Sequence, residues 1–467
     1  MPEPDDLPYD VVVIGAGVVG CAVARLLSHQ HLRVALLDAA PDVGSGTSKA
    51  NTAILHTGFD ATPGSLESRL VSRGYELLSD YAPTVGIAIE RTGAALVAWD
   101  DEQAAALPGL AAKAGANGYH AASVVDAATV YELEPHLGTG VAAGMLVPDE
   151  HIIDPWGTPL AFAREALANG VSWLPNRHVT KLERQFDTTV IESSDGATVR
   201  TRCVVNAAGL HSDEVHALFG LAGFTIRPRR GELIVFDKLA RPLLQRTLLP
   251  VPTGHTKGVL VAPTVFGNVM LGPTADDIDD RTATGSTRAG IDALLAKGRR
   301  ILPALIREEV TAVYAGLRAA TEHSDYQITH DREFRYVCLG GIRSTGLTAS
   351  MAIAEEALAL VAACGLEVIP KAAGSIRSTQ VTNLGEAFER PYQVGASGDI
   401  VCHCERVTHD EIVAACTEQP PATTFDGIRR RTRALAGRCQ GFYCSAAVCS
   451  IAAESSGRPM SDWMGAP

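Results

Sequence analysis

The chain has 467 residues, 46% hydrophobic and 20% charged, a balance that fits a folded globular protein and excludes disorder along most of its length. Forty basic against 53 acidic side chains leave a formal charge of −13, which argues against a general nucleic-acid binder, because that function needs a basic face. Ten cysteines, six of them after residue 400, are too unevenly spread for a disulfide scaffold, and their late cluster reads as a metal site.

The N-terminal MPEPDDLPYD has neither the basic start nor the apolar stretch of a secretory signal. No run of about 20 uninterrupted apolar residues appears, so no membrane span is expected. The expected location is the cytoplasm, or the periphery of a membrane.

The first elements follow at once. Val11–Ile14 is a short β-branched run that suits a buried strand. It leads into Gly15-Ala16-Gly17-Val18-Val19-Gly20, a G-x-G-x-x-G loop, and then into apolar residues at helical spacing. Gly15 permits the turn, Gly17 lets backbone approach a pyrophosphate at the helix N-terminus, and Gly20 permits close helix–strand packing. A second strand, Arg33–Leu37, ends at Asp38, 18 residues beyond Gly20, where a carboxylate can accept from ribose hydroxyls, with Ala39 beside it. Together these parts predict dinucleotide binding, without deciding between NAD and FAD.

Later segments favour FAD. Arg202–Asn206 predicts a strand ending in the small-residue turn Ala207-Ala208-Gly209, where backbone can lie against a large ligand. Gly340 to Thr348 leads into an apolar helix through Cys364, closed by Gly365. The N-terminus of that helix, at Gly346-Leu347-Thr348, would stabilise negative charge on a reduced flavin ring.

Composition shifts once, late. Residues 370–399 are rich in Gly, Ser, Thr and Pro and read as a connector. Beyond it lies Cys402-His403-Cys404, then 34 residues, then Cys439-Gln440-Gly441-Phe442-Tyr443-Cys444. Four thiolates in this C-x-C…C-x4-C array can hold a soft metal centre. Two helices are expected between the pairs, over 408–416 and 424–436. Arg429, Arg430, Arg431, Arg433 and Arg438 crowd the second. They read either as a solvated helix face or as charge that offsets a thiolate-bound cluster or docks an acidic electron-transfer partner. Cys416, Cys449 and Cys21 read as packing residues.

The segments from Tyr9 to Gly365 resemble the glycine-oxidase/D-amino-acid-oxidase-like superfamily of FAD oxidoreductases. Within them GTSKANTAILHTGFDATPGSLESRL is similar to FAD-dependent glycerol-3-phosphate dehydrogenases and L-2-hydroxyglutarate oxidases. VVNAAGLHSDE, RPRRGELIVFDK, YAGLRAATE and GIRSTGLTAS follow in the family's order, with Thr52 and Met351 as small departures. The resemblance implies that Thr47, Ser48, Asn51, Thr52, Ala53 and His56 contact the isoalloxazine and ribityl chain. It also implies an adenine contact at Val179 and a flavin-side position for Gly316. In the pocket it places Arg318 as the binder of an anionic substrate, Arg343 as a second such cation, and His56 as the base or as a histidine bonding the flavin edge. His211, His255 and His323 sit on loops and read as surface residues that could line the pocket. The tail resembles bacterioferritin-associated-ferredoxin-like domains, which implies a [2Fe-2S] cluster on Cys402, Cys404, Cys439 and Cys444, with zinc as the rival occupant.

The expected fold class is therefore α/β. A discontinuous Rossmann-like FAD-binding domain (1–80, 146–215, 325–366) interleaves with an α+β substrate domain built on a mostly antiparallel sheet (81–145, 216–324). A linker (367–399) and a small helical iron–sulfur domain (400–467) follow. The expected function is oxidation of sn-glycerol 3-phosphate to dihydroxyacetone phosphate by hydride transfer to flavin N5. Electrons would pass to a quinone or a partner protein. The alternatives are a dehydrogenase of L-2-hydroxyglutarate or another 2-hydroxy acid, and an iron–sulfur carrier that no longer turns over substrate.

Overall fold

The computed structural model describes residues 7–252, 258–395 and 398–464. The strand Tyr9–Ile14 lies at the centre of an eight-stranded sheet, with Val34–Leu37 and Thr198–Asn206 parallel on its two sides. Ser172–Leu174 extends one side in parallel, and Tyr336–Gly340 pairs in parallel with the end of Thr198–Asn206. The hairpin Val179–Gln185/Thr188–Ser193 pairs antiparallel with the beginning of that same strand.

Both faces of this sheet are covered, which is why its strands are apolar without alternation. Val11, Val13, Leu36, Cys203, Val205 and Val337 face the helices Val18–Ser28, Leu66–Thr84, Gly157–Ala168 and Gly346–Ala363. Val12, Ile14, Ala35, Leu37, Val204 and Cys338 face the other way, toward Leu182, Ile191, Val215 and Phe219.

Gly346–Ala363 is apolar and long enough to cross a membrane by length and composition, with 56% of it buried. It packs against Val18–Ser28 and Leu66–Thr84, and its Glu355 and Glu356 pair with Arg73 and Arg69. It is a core helix of the lobe built on the eight-stranded sheet.

Among the described residues the second sheet has nine strands, of which only Thr247–Pro250 and Ala94–Ala98 pair in parallel. Its longest pair is Arg227–Phe236 against Val310–Ala320. A third, small sheet joins the lobes, with Ile54–Leu55 and Ile89–Glu90 flanking His151–Ile153.

The tail begins with the hairpin Ile400–Cys402/Val407–Thr408. Helix His409–Thr417 starts in a capping box, in which Glu411 accepts from the Thr408 backbone and hydroxyl while the hydroxyl accepts from Glu411 N–H. Helix Phe425–Thr432 ends four residues before the expected 436, because Arg433 turns left-handed at φ 75°. Cys416 and Cys449 lie buried in this domain's own core, beside Ile412, Ile428, Val448 and Trp463, and Cys21 in that of the flavin lobe.

The arginines of that helix are not a solvated face. Arg430, Arg431 and Arg433 are 5%, 6% and 5% exposed. Arg430 and Arg431 converge on Asp42 of the flavin lobe, itself 1% exposed, at 2.6–2.7 Å. Arg433 binds Glu405 and Asn268, and its guanidinium lies over the rings of Phe266 and Trp156. The charge that the sequence left without a partner is spent on docking the tail against its own chain.

Candidate functional site

Strand Tyr9–Ile14 delivers the chain into the glycine loop with Gly15 at φ +104°. A Cβ at Gly20 would overlap the Gly15 carbonyl, so the helix starts hard against the turn only because both are glycine. Helix Val18–Ser28 carries no acid in its first turn and no side-chain cap from Gly17. Val18 N–H instead donates to Ser48 Oγ at 2.9 Å. Ala16, Gly17, Val18 and Val19 thus form an open helix N-terminus fit for a pyrophosphate.

Asp38 accepts from Ala16 N–H at 2.6 Å and Ala40 N–H at 2.7 Å, which fixes its carboxylate and leaves lone pairs for ribose hydroxyls. Burial raises its pKa above the ordinary carboxylate value, against those two backbone bonds. Arg177 N–H donates to the Asp38 carbonyl, so the segment leading to Val179 lies beside Asp38 and Ala39. Ala207 N–H donates to Ile14 O, and Asn206 Oδ1 accepts from Ala208 N–H ahead of Gly209. This brings the predicted small-residue turn onto the glycine loop.

The turn 47–56 passes between the substrate-lobe strand Val310–Ala320 and helix Gly346–Ala363. Thr47 Oγ1 donates to Leu317 O at 2.8 Å, Tyr314 OH donates to Asn51 O at 3.0 Å, and a Cβ at Gly316 would strike Ala50 O. Beyond Thr52, Ala53 is held at φ +55°, a left-handed conformation an alanine rarely adopts, and Asn51 Oδ1 accepts from its N–H. On the other side His56 N–H donates to Thr348 Oγ1 at 2.9 Å, in the first turn of the helix that opens at Gly346 and Leu347.

Two of the sequence-predicted candidates, Arg318 and His56, stand beside this turn. Arg318 lies on the strand that touches Thr47. Its guanidinium donates to the Thr274 carbonyl at 3.4 and 3.5 Å, and no carboxylate pairs with it among the described residues. Burial, and then the Arg229 charge, pull its pKa below the ordinary value, so the cation lacks a counter-charge. His56 Nδ1–H donates to Glu150 Oε1 at 2.6 Å. Glu150 is 1% exposed and its other oxygen accepts from Thr57 N–H and Oγ1–H at 2.7 and 2.9 Å.

Arg343 is placed differently. It is bound to the Ser324 carbonyl and to Glu67, in a network where Thr345 Oγ1 donates to Glu67 and meets Tyr326 OH. Its charge is already matched there. His211 is exposed and paired with Glu214, and His323 with the Gly223 carbonyl, while His255 lies outside the described residues. Glu150 was missed by sequence reasoning, since it lies 94 residues from His56 in no motif. The signal would have been the pairing of Leu55 with His151, which carried one step further sets His56 opposite Glu150.

In the tail Cys402 ends the first strand of the hairpin, Cys404 lies in its turn, and Cys444 stands at the N-cap of helix Ser445–Ser456. The four thiols act on one another's ionisation, Cys402 most with Cys444, and Cys404 with Cys439 and Cys402. The Cys444 thiol, then the amides of Glu405 and Leu435, hold Cys402 down to about 6, while its partner Cys444 is pushed up. The amides of Tyr443 and Gly441, with the Cys404 thiol, lower Cys439. Among the described residues no group of three or more His, Cys, Asp or Glu side chains stands in metal-binding geometry. In donor chemistry the four soft sulfurs, with amide N–H groups aimed at them, fit an iron–sulfur cluster.

The FAD dependent oxidoreductase family matches residues 10–360. This chain belongs to that family. The flavoenzyme's tail, residues 400–454, matches the BFD-like [2Fe-2S] binding domain. It is 32% identical to the glycerol 3-phosphate dehydrogenase of Caloramator mitchellensis over 97% of this chain and 96% of that one. The dithionite-reduced, FAD-bound L-alpha-glycerophosphate oxidase of Mycoplasma pneumoniae superposes with a TM-score of 0.74 at 29% identity, covering 78% of this chain and 97% of that one. The mitochondrial L-2-hydroxyglutarate dehydrogenase of Caenorhabditis elegans is 32% identical over 58% of this chain and 64% of that one.

Proposed function

We propose that this flavoenzyme oxidises sn-glycerol 3-phosphate to dihydroxyacetone phosphate. The observation that carries the reading is Arg318, a half-buried cation without a carboxylate partner among the described residues, on the strand that touches the turn 47–53. A guanidinium matches a phosphate in bidentate fashion, and burial strengthens the attraction. The Caloramator relative, similar over nearly the whole chain including the tail, supports the same substrate.

FAD, when bound, supplies a hydride acceptor at N5. The chain's own groups do the rest. Ala16 to Val19 and Asp38 hold the pyrophosphate and ribose, and Arg318 anchors the substrate phosphate. His56 takes the proton of the hydroxyl being oxidised, since an imidazole titrates near working pH. Cys402, Cys404, Cys439 and Cys444 would hold a [2Fe-2S] cluster, a one-electron centre, in preference to zinc. The electrons would leave to a quinone or a partner protein in the cytoplasm or at a membrane surface.

Anaerobic titration of the purified protein with glycerol 3-phosphate tests this. The expected outcome is bleaching of the flavin bands. A flavin that stays oxidised with glycerol 3-phosphate but bleaches with L-2-hydroxyglutarate, whose carboxylates Arg318 could equally hold, would transfer the assignment to a 2-hydroxy acid.

A further inference from the structure

We propose that Glu150 is a positioning residue for the oxidation: it holds His56 by Nδ1–H and so makes Nε2 the nitrogen that receives the substrate's hydroxyl proton. The proposal rests on the reading of His56 as the base.

The geometry is over-determined. Ile54 pairs with Ile152 and Leu55 with His151, so the ladder brings His56 and Glu150 across from one another. Glu150 Oε1 accepts from His56 Nδ1–H at 2.6 Å, and Oε2 accepts twice from Thr57. A carboxylate can only accept, which settles which ring nitrogen carries the shared proton. The His56 backbone is fixed separately, its N–H donating to Thr348 Oγ1. His56 is thus held from the small three-stranded sheet on one side and from the first turn of helix Gly346–Ala363 on the other.

A merely stabilising role accounts poorly for this pair. Taking a carboxylate to 1% exposure strips its hydration, and apolar residues across the same register would avoid that cost. An imidazole that must present one nitrogen as acceptor needs its other nitrogen tied down as donor, and a buried carboxylate does that.

Among the described residues, the charged and titratable groups that act on Glu150 and its surroundings include Asp149, Arg91, His151, Tyr75 and Tyr119. Burial raises the Tyr75 phenol to about 12 and raises Tyr119 too, so neither ionises near neutrality. Burial lowers His151, which keeps that ring neutral in the same range.

The test is rapid anaerobic mixing of the FAD-loaded protein with glycerol 3-phosphate, for wild type, Glu150→Gln and Glu150→Asp, across the range in which imidazole titrates. A glutamine that turns its amide toward Nδ1 selects the wrong tautomer. Glu150→Gln is expected to slow flavin reduction by about 100-fold or more while substrate binding changes by less than about threefold. A neighbouring carboxylate favours the protonated ring, so its loss should move the acid limb of the rate profile to lower pH. Glu150→Asp keeps the charge and should recover part of the rate with the limb near its original place. Unchanged reduction and an unmoved limb in Glu150→Gln overturn the proposal. Should that variant not retain flavin, Glu150→Asp decides: a slowed rate with the limb in place supports the proposal, an unchanged rate overturns it. A wild-type flavin left oxidised by glycerol 3-phosphate breaks the substrate reading instead, and the same comparison is then made with the 2-hydroxy acid that reduces it. A flavin inert to both overturns the proposal along with the reading.

Discussion

The flavin lobe and the cysteine-rich tail build their candidate cofactor sites in opposite ways. The lobe uses backbone: a glycine loop, a helix N-terminus and one acid, Asp38, locked by two amides. The tail uses side chains, four thiols at the ends of a hairpin and a helix, and is fastened to the lobe by charge. A backbone site tolerates almost no added volume. A side-chain site tolerates volume but not the loss of its polar atoms.

Gly20→Val should break the first kind of site outright, because its side chain would occupy the Gly15 carbonyl; the purified protein should carry no flavin absorbance. Arg318→Met should keep the flavin spectrum yet raise KM for glycerol 3-phosphate by about 30-fold or more, since a buried charge pair lost on one side costs at least about 2 kcal/mol. Asp42→Asn addresses the fastening: it leaves Arg431 buried without a carboxylate and Arg430 with Asp426 of its own helix alone. It should destabilise the docked tail by about 3–5 kcal/mol, read as earlier thermal unfolding and faster proteolysis within 400–464.

The smallest effect is a pH dependence. Burial alone would raise Glu405, but the charges of Arg433 and Lys238 bring it below its ordinary value of 4.5. Asp426 is lowered as well, by Arg430 and Lys49 against its burial. A depressed folded value means stability present above the unfolded value and lost as pH falls through the folded one. Tail docking should therefore weaken progressively below about pH 4.5, read as faster proteolysis within 400–464 as the pH falls.

Much of the flavin lobe was legible because its signals are local. Strand, glycine loop, helix and acid fall within thirty-odd residues, and each fixes its neighbour's conformation sterically. Gly365 closing the long helix and the Thr408–Glu411 capping box are equally local. Arg343 shows the limit: its motif places it near the ring, but its charge is taken by Glu67, 276 residues away, and by the Ser324 carbonyl. The arginine run of the tail shows it again, since a patch of cations reads as solvated until Asp42 appears opposite it.

The sequence alone determined the dinucleotide loop, the order of family segments, the thiol array and the chemical class of the reaction, because glycine sterics, periodicity and ligand type act over a few residues. Tertiary structure decided which groups share charge. Glu150 with His56, Asp42 with Arg430 and Arg431, and Arg318 without a carboxylate partner among the described residues depend on strand register and lobe packing. Coulomb and hydrogen-bond energies depend on distance in space, and separation along the chain says little about that distance.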